Sequence, residues 1–290
     1  MQRSRVSART ITVKLVVSLF VLSSITGALP AADPNELRAL VRSATSKFSL
    51  GGTLRDEYSF QRRRELRELD AAGKVRSTSV VVSQKSIEAG FPVTRVIEKD
   101  GKPLPSQEKE KQEDTIRKRL AELRALTPAQ RDERRRESEN KQAQQNGFLL
   151  ELPDAMEFKL VGEETVKGRV TTVLDCVPRP GYQPKNIKAK IFEKTKARLW
   201  IDKVDTELIK AEGEVFDTVN IGWGILGRIE KGTTFLVERT KIDSGVWALE
   251  HQATRFAVRF MLVKNLNQEM DVRYSNYRKE SGPSAAITVR

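Results

Sequence analysis

The sequence predicts an α+β protein that is mainly antiparallel sheet: an incomplete, half-open β-barrel of about ten to eleven strands, with helices covering its concave side and a charged helical insertion. Three observations carry this. Short runs rich in Val, Ile, Thr and aromatic residues recur between residues 54 and 278, most with alternating polarity. Turn signals that join antiparallel neighbours separate them, among them Asp70-Ala-Ala-Gly73, Lys99-Asp100-Gly101-Lys102 and Asp243-Ser-Gly245. One amphipathic helix precedes the strands and short helical stretches interrupt them, so the sheet has apolar stripes to pack against.

Taken in order, the chain opens with Arg3, Arg5, Arg9 and Lys14, then the apolar run Leu15 to Leu22 and the small residues up to Ala28. A basic start, a short apolar run and small residues read as a secretory signal peptide over 1–28, leaving 29–290 as one domain. The alternative is an uncleaved anchor, since residues 15–32 carry no charge. The whole chain has 52 Lys and Arg against 39 Asp and Glu. Its formal charge of +13 falls to +9 once the four basic residues of the signal are set aside. Such a surplus favours anionic partners, and export makes nucleic acid the least fitting of them. The one cysteine, Cys176, cannot form an internal disulfide and sits in a strand-like run as a small buried residue.

Asp33-Pro34 starts a helix, with Asp as N-cap and Pro in the first turn. Leu37, Leu40, Val41, Ala44 and Phe48 make its apolar stripe, and Gly51-Gly52 is expected to end it. Three strands follow as a meander: Leu54 to Asp70, Val75 to Ile87 and Phe91 to Glu98. The cluster Arg62-Arg63-Arg64 lies among Glu57, Glu65 and Glu68 and reads as a solvated strand face. Residues 105–146 differ in kind. Between 101 and 146 there are twelve Lys and Arg and nine Asp and Glu, with a short apolar stripe at Ile116, Leu120, Leu123 and Leu126 before Thr127-Pro128. This is a charged helical insertion without coiled-coil heptads.

Strand chemistry then returns. Phe148 to Leu152 is a helical turn, Phe158 to Val161 and Arg169 to Val177 make a hairpin around Gly162-Glu-Glu, and Asn186 caps a short helix with Ile187 and Ile191. Further strands are Ile225 to Glu230, Thr233 to Ile242, Thr254 to Lys264 and the alternation Met270, Val272, Tyr274. Ile221-Gly-Trp-Gly224 reads as a bulge or loop. No metal-ligand spacing, Walker loop, nucleophile elbow or dinucleotide fingerprint occurs, and the single His251 reads as a surface or strand-end residue. Nothing in the sequence supports an enzyme or a cofactor. Asp202 and Asp205 flank a turn, where Asp caps backbone amides.

Residues 197–217 hold the central hairpin. Leu199-Trp-Ile-Asp-Lys203, a polar turn and Leu208-Ile-Lys-Ala-Glu212 together resemble the C-terminal half of the LolA-like proteins, the periplasmic outer-membrane lipoprotein-sorting carriers. There a strand bearing Trp-Ile-Asp runs into a turn, and the next reads Leu-(Val/Ile)-Lys-(Val/Leu/Ala)-Glu. Gly245-Val-Trp247 and Tyr274-Ser-Asn-Tyr277 are weaker echoes, and the general layout spans 33–104 and 147–278. The 105–146 insertion, the charge surplus and the lack of a Pro soon after Trp247 depart from the family.

The resemblance implies an exported, non-enzymatic protein, periplasmic or associated with the outer membrane, whose half-barrel binds a lipid or the acyl chain of a lipoprotein. An envelope protein and a membrane surface are the other partners it implies. The aromatic side chains that would line an apolar groove are Trp200, Phe216, Trp223, Phe235, Phe256 and Phe260. Lys188, Lys190 and Lys194, in a run with little acid, would meet an anionic head group. The opposing reading is an envelope scaffold whose barrel is filled by its own side chains.

Overall fold

The computed structural model describes residues 32–54, 57–221, 227–260 and 264–280. The signal-like N-terminus and most of the Ile221–Gly224 loop, Trp223 included, lie outside the described residues.

Thirteen strands form among the described residues, all antiparallel: β1 (Tyr58–Leu69), β2 (Val75–Glu88), β3 (Phe91–Lys99), β4 (Lys102–Pro103), β5 (Met156–Val166), β6 (Arg169–Pro178), β7 (Thr195–Asp202), β8 (Leu208–Val215), β9 (Val219–Ile221), β10 (Gly227–Ile229), β11 (Thr234–Asp243), β12 (Val246–Phe260) and β13 (Lys264–Lys279). Eleven make one continuous path, in the order β4-β3-β2-β1-β13-β12-β11-β8-β7-β6-β5, with β10 and β9 branching from β12. The last strand pairs with the first, and this joins the N-terminal meander to the C-terminal one. The sheet is not closed into a barrel: β4 stands at one end of the path and β5 at the other. This is the open half-barrel that the strand count and turn signals predict.

The turns follow from residues that accept left-handed backbone. Asp100 and Gly101 have φ of 50° and 77°, and Lys167 and Gly168 have 51° and 77°. Both pairs suit the two-residue hairpin turns whose twist matches the strands. The second pair corrects an expectation. The hairpin does not turn at Gly162-Glu-Glu; β5 runs on through it with a register shift between Leu160 and Gly162. A glycine inside a strand marks a bulge as readily as a turn, and this one does so at φ 152°. Likewise Val246-Trp247 and the Thr254 run are one long β12, bent by register shifts against β11.

Four helices complete the described residues: α1 (Pro34–Leu54), α2 (Ser106–Ala125), α3 (Pro128–Asn146) and the single turn α4 (Leu152–Ala155), with 3₁₀ segments at Gly147–Glu151 and Ile187–Lys194. α1 continues through Gly51-Gly52 to Leu54, so the glycines weaken the helix without ending it. Its Leu37, Val41 and Ala44 bury one stripe against Leu152, Ala155, Met156, Leu174, Cys176, Leu199, Ile201 and Ala211, the main core. A smaller cluster of Val173, Trp200, Ile209 and Trp247 lies apart from it.

The insertion forms two helices. Thr127 makes the elbow: its hydroxyl accepts from the Gln130 amide, and the Gln130 side chain accepts from the Thr127 amide. α2 is anchored by Leu120 and Leu123 against Val93. Its Gln112 side chain pairs with both backbone groups of Val96 (2.8 and 3.1 Å), as a neighbouring strand would. α2 therefore shields the β3 edge, where unpaired backbone would otherwise be a template for aggregation. α3 has no apolar stripe; its contacts are with the 3₁₀ segment at Gly147–Glu151 and with α1.

Candidate functional site

Register is the starting point, because directly paired residues on antiparallel strands share a face. Cys176 pairs with Ala197, Ala197 with Gly213, and Gly213 with Phe235. Phe235 then pairs with Thr254, Thr254 with Met270, and Met270 with Leu66. One cross-strand row thus crosses seven strands, roughly 30 Å at the usual strand spacing. It begins in the core under α1, since Cys176 is 1% exposed and belongs to the cluster that holds Leu37 and Val41. Burial pushes the Cys176 thiol far above its ordinary range, with Asp175 adding to the effect, so this cysteine is a packing residue.

Beyond Gly213 the row changes character. Phe235, Thr254, Met270 and Leu66 are all half-buried, as are Val237 and Phe256, two residues along from Phe235 and Thr254. Among the described residues none of these apolar side chains joins a buried cluster. The row is covered by a helix at one end and open at the other.

The opposite face is polar. Residues one step off the row along each strand point there, and a trough of about 790 Å³ runs between them. Its walls include Arg67, Asp175, Arg198, Glu212, Arg255 and Glu269. Much of this charge is mutually paired, as in Arg198 Nε to Asp175 at 2.6 Å and Arg67 to Glu65 at 2.5 Å and to Glu269 at 3.5 Å. The trough's chemistry is that of a solvated charge ladder and not of an acyl-chain groove.

The sequence-predicted residues separate along these lines. Phe235 and Phe256 share the face of the row. Trp200 is buried in the smaller cluster, its indole N–H donating to Glu164 at 2.7 Å and Lys210 Nζ lying 4.0 Å from its ring centroid. Phe216 is half-buried with Lys196 over its ring at 5.4 Å. Phe260 is the last residue of β12, paired with Lys264, and Trp223 is outside the described residues. The lysines lie on the 3₁₀ segment at Ile187–Lys194, which packs Ala189 and Phe192 into the main core. Lys194 already pairs with Asp217 at 3.0 Å.

Sequence reasoning missed Leu66 and Met270. Their alternation was visible, but only the strand pairing of β12, β13 and β1 brings them into the row that holds Phe235. His251 needs correcting too. It sits inside β12, not at a strand end, with Nδ1 3.3 Å from Glu238 and Nε2 2.7 Å from Asp271. Among the described residues no group of His, Cys, Asp or Glu could hold a metal ion.

The Trp-Ile-Asp hairpin is a structural clamp. Asp202, 1% exposed, accepts from the Val204 and Asp205 amides and takes Arg169 by both oxygens at 2.6 Å. Asp205 accepts from Arg169, Lys241 and the Trp247 indole at 3.0, 2.8 and 3.1 Å. Behind it Arg239, 5% exposed, donates to Glu207 at 2.6 Å and to the Trp247 carbonyl at 3.0 Å. Buried guanidinium and carboxylate groups persist only when paired in this way.

The fold and this row define an open antiparallel half-barrel protein with one helix-covered face. No protein-family model matches the chain, and no curated protein matches it. Its solved structural neighbours include a DUF1329 family protein from Desulfovibrio piger at 13% identity and TM-score 0.30, covering 84% of this chain and 95% of that one. A putative outer membrane lipoprotein-sorting protein domain from Vibrio parahaemolyticus aligns at 12% identity and TM-score 0.33, over 83% and 94%. A LolA superfamily protein from Nitrosomonas europaea aligns at 12% and 0.30, over 84% and 94%. The likeness is one of layout at low identity. No helix among the described residues is long and apolar enough to cross a membrane.

Proposed function

We propose that this chain is an exported envelope protein that binds the acyl chain of a lipid, or of an acylated lipoprotein-like ligand, on the α1 side of its sheet. One observation carries the reading: the row that α1 seals at Cys176 continues past Gly213 as half-buried Phe235, Met270 and Leu66, outside every buried cluster among the described residues. An apolar strip of that length, left half exposed, gains from being covered. Transfer of a lipid or lipoprotein toward the outer membrane, and an envelope protein that gives or receives it, belong to the same proposal. The trough on the other face is walled largely by charged side chains, many of them paired with one another.

The test uses an uncharged fluorescent acyl probe with Phe235→Ala and Phe256→Ala. A binding strip loses probe affinity on the order of tenfold while stability falls by much less than the ~3–5 kcal/mol of a truncated core phenylalanine. If both variants melt like core mutants and the parent protein never takes up the probe, the side chains merely fill the half-barrel and a scaffold role stands instead.

A further inference from the structure

The arginines of β1 divide by face. Arg63 and Arg67 belong to the polar face, and both reach Glu65, at 2.8 and 2.5 Å. Arg62 and Arg64 point to the opposite face, that of Leu66, because side chains alternate along a strand. Arg64 ends a cross-strand row of its own: Leu199, Ala211, Val237, Gln252, Val272, Arg64. Leu199 and Ala211 in that row belong to the core that α1 covers. Half-buried Arg62 and exposed Arg64 therefore share a face with Phe235, Met270 and Leu66.

Neither arginine has a carboxylate partner among the described residues. Arg62 pairs across the strands with Ser83 and Tyr274, and Arg64 with Val81 and Val272, all uncharged. The acids of this region are engaged or turned away. Glu65, Glu269 and Asp271 serve Arg63, Arg67 and Arg273 on the polar face. Glu98 is opposite Val82, which pairs with Arg63, so it lies on that face too. Glu68 shares the face of Arg64, four residues further along, and accepts from the Ser77 hydroxyl at 3.1 Å. Asp243 accepts from the Tyr58 hydroxyl at 3.0 Å. Beyond Val81, Lys99 holds Glu108 of α2 at 2.5 Å. Glu113 of α2 holds Arg95, which lies through Gln84 in the row of Gln61 on the polar face. Two residues apart on an extended strand, the Arg62 and Arg64 Cα atoms are about 7 Å from one another. Like charges at that spacing repel, and one anion set between them relieves both.

We infer that Arg62 and Arg64 receive the anionic head group of a phospholipid whose acyl chain lies along Leu66, Met270 and Phe235. The inference rests on the acyl reading above and names its ligand class. Leu66 is two residues from Arg64 on the same face of β1, so the charge stands at the end of the apolar strip. From Phe235 through Thr254 and Met270 to Leu66 the strip crosses three strand spacings, roughly 14 Å. Guanidinium groups suit a phosphate, since each presents a planar fork of donors to two oxygens. Lys194, the sequence's candidate for this role, is occupied by Asp217.

The probes are dioctanoyl phosphatidylglycerol and dioctanoylglycerol, which differ only in the phosphoglycerol head, each displacing the uncharged fluorescent acyl probe. The parent protein binds the phospholipid about tenfold more tightly, the factor of one charge-assisted hydrogen bond. Raising the salt concentration shrinks that preference. Arg62→Gln/Arg64→Gln abolishes it without weakening the uncharged probe, whereas Arg63→Gln, on the other face, keeps it. Phe235→Ala weakens both lipids alike. Equal binding of the two lipids by the parent, a preference that survives the double change, or an equal loss in Arg63→Gln overturns the head-group site and leaves the acyl reading standing. The salt series needs no variant, so a preference unmoved by salt overturns the site even if the double variant fails to fold. A parent that takes up neither the uncharged probe nor either lipid ends both readings together.

Discussion

The ring of Phe235 occupies the space that a side chain at Gly213 would need. A methyl group there would stand 2.5 Å from Phe235 Cζ and 2.7 Å from the Lys196 carbonyl oxygen. The two residues are directly paired across β8 and β11, so the contact is part of the sheet's register. Gly213 is therefore required by close approach and not by an unusual backbone angle.

Gly213→Ala should destabilise the protein by about 1–3 kcal/mol, the usual cost of overpacking. Phe235→Leu in the same chain should recover only part of it, because the second clash is with backbone. Urea unfolding of the two single variants and the double variant gives the coupling. Full additivity would mean that the ring does not fill the Gly213 notch.

The Asp202 clamp leads to a second expectation. Burial opposes ionisation of Asp202, but Arg169 and the Asp205 and Val204 amides outweigh it and hold its pKa below the usual value. Removing the carboxylate as Asp202→Ala leaves Arg169 short of its main partner and frees two turn amides. The expected loss is about 2–4 kcal/mol, reduced from a fully enclosed pair because Arg169 is 28% exposed. A loss below ~1 kcal/mol in a urea melt would contradict the clamp.

Acid should act on the clamp and on ion pairs elsewhere in the sheet. Glu88 and Glu113 are lowered by hydrogen bonds from Arg95, Asp205 chiefly by Lys241, and Glu65 chiefly by Arg63. A carboxylate depressed on folding contributes stability that is present above its unfolded pKa and lost as pH falls through the folded one. Stability should thus hold through neutral pH and decline below about pH 4. Arg95→Gln should flatten that decline, read from unfolding midpoints across the acid range, and an unchanged acid slope would count against the Arg95 pairs.

How far the sequence was legible depends on range. Turn chemistry and alternation located the strands because both act over a few residues, as at Asp100-Gly101. The bulge at Gly162 was misread since a glycine serves bulge and turn alike. Trp200 and Phe235 are equally apolar, and only the register assigns them to opposite faces of the sheet. His251 met Glu238 and Asp271 across two neighbouring strands, 13 and 20 residues away along the chain.

The insertion gives the last prediction. Its charge suggests that it could be removed at little cost, but its two helices are not equivalent. α3 is polar throughout, whereas Leu120 and Leu123 of α2 are 7% and 6% exposed against Val93. Each Leu→Ala change there should cost about 2–3 kcal/mol, the low end for a small cluster at the sheet margin. Gln112→Ala should add little to that in a melt, yet it uncovers both backbone groups of Val96 at an edge strand. The expected result is faster aggregation on mild heating, followed by light scattering, with α3 substitutions such as Arg131→Ala as the silent comparison. If Gln112→Ala and the α3 variant aggregate alike, α2 is not the guard of the β3 edge, and the Val96 pairing is incidental to solubility.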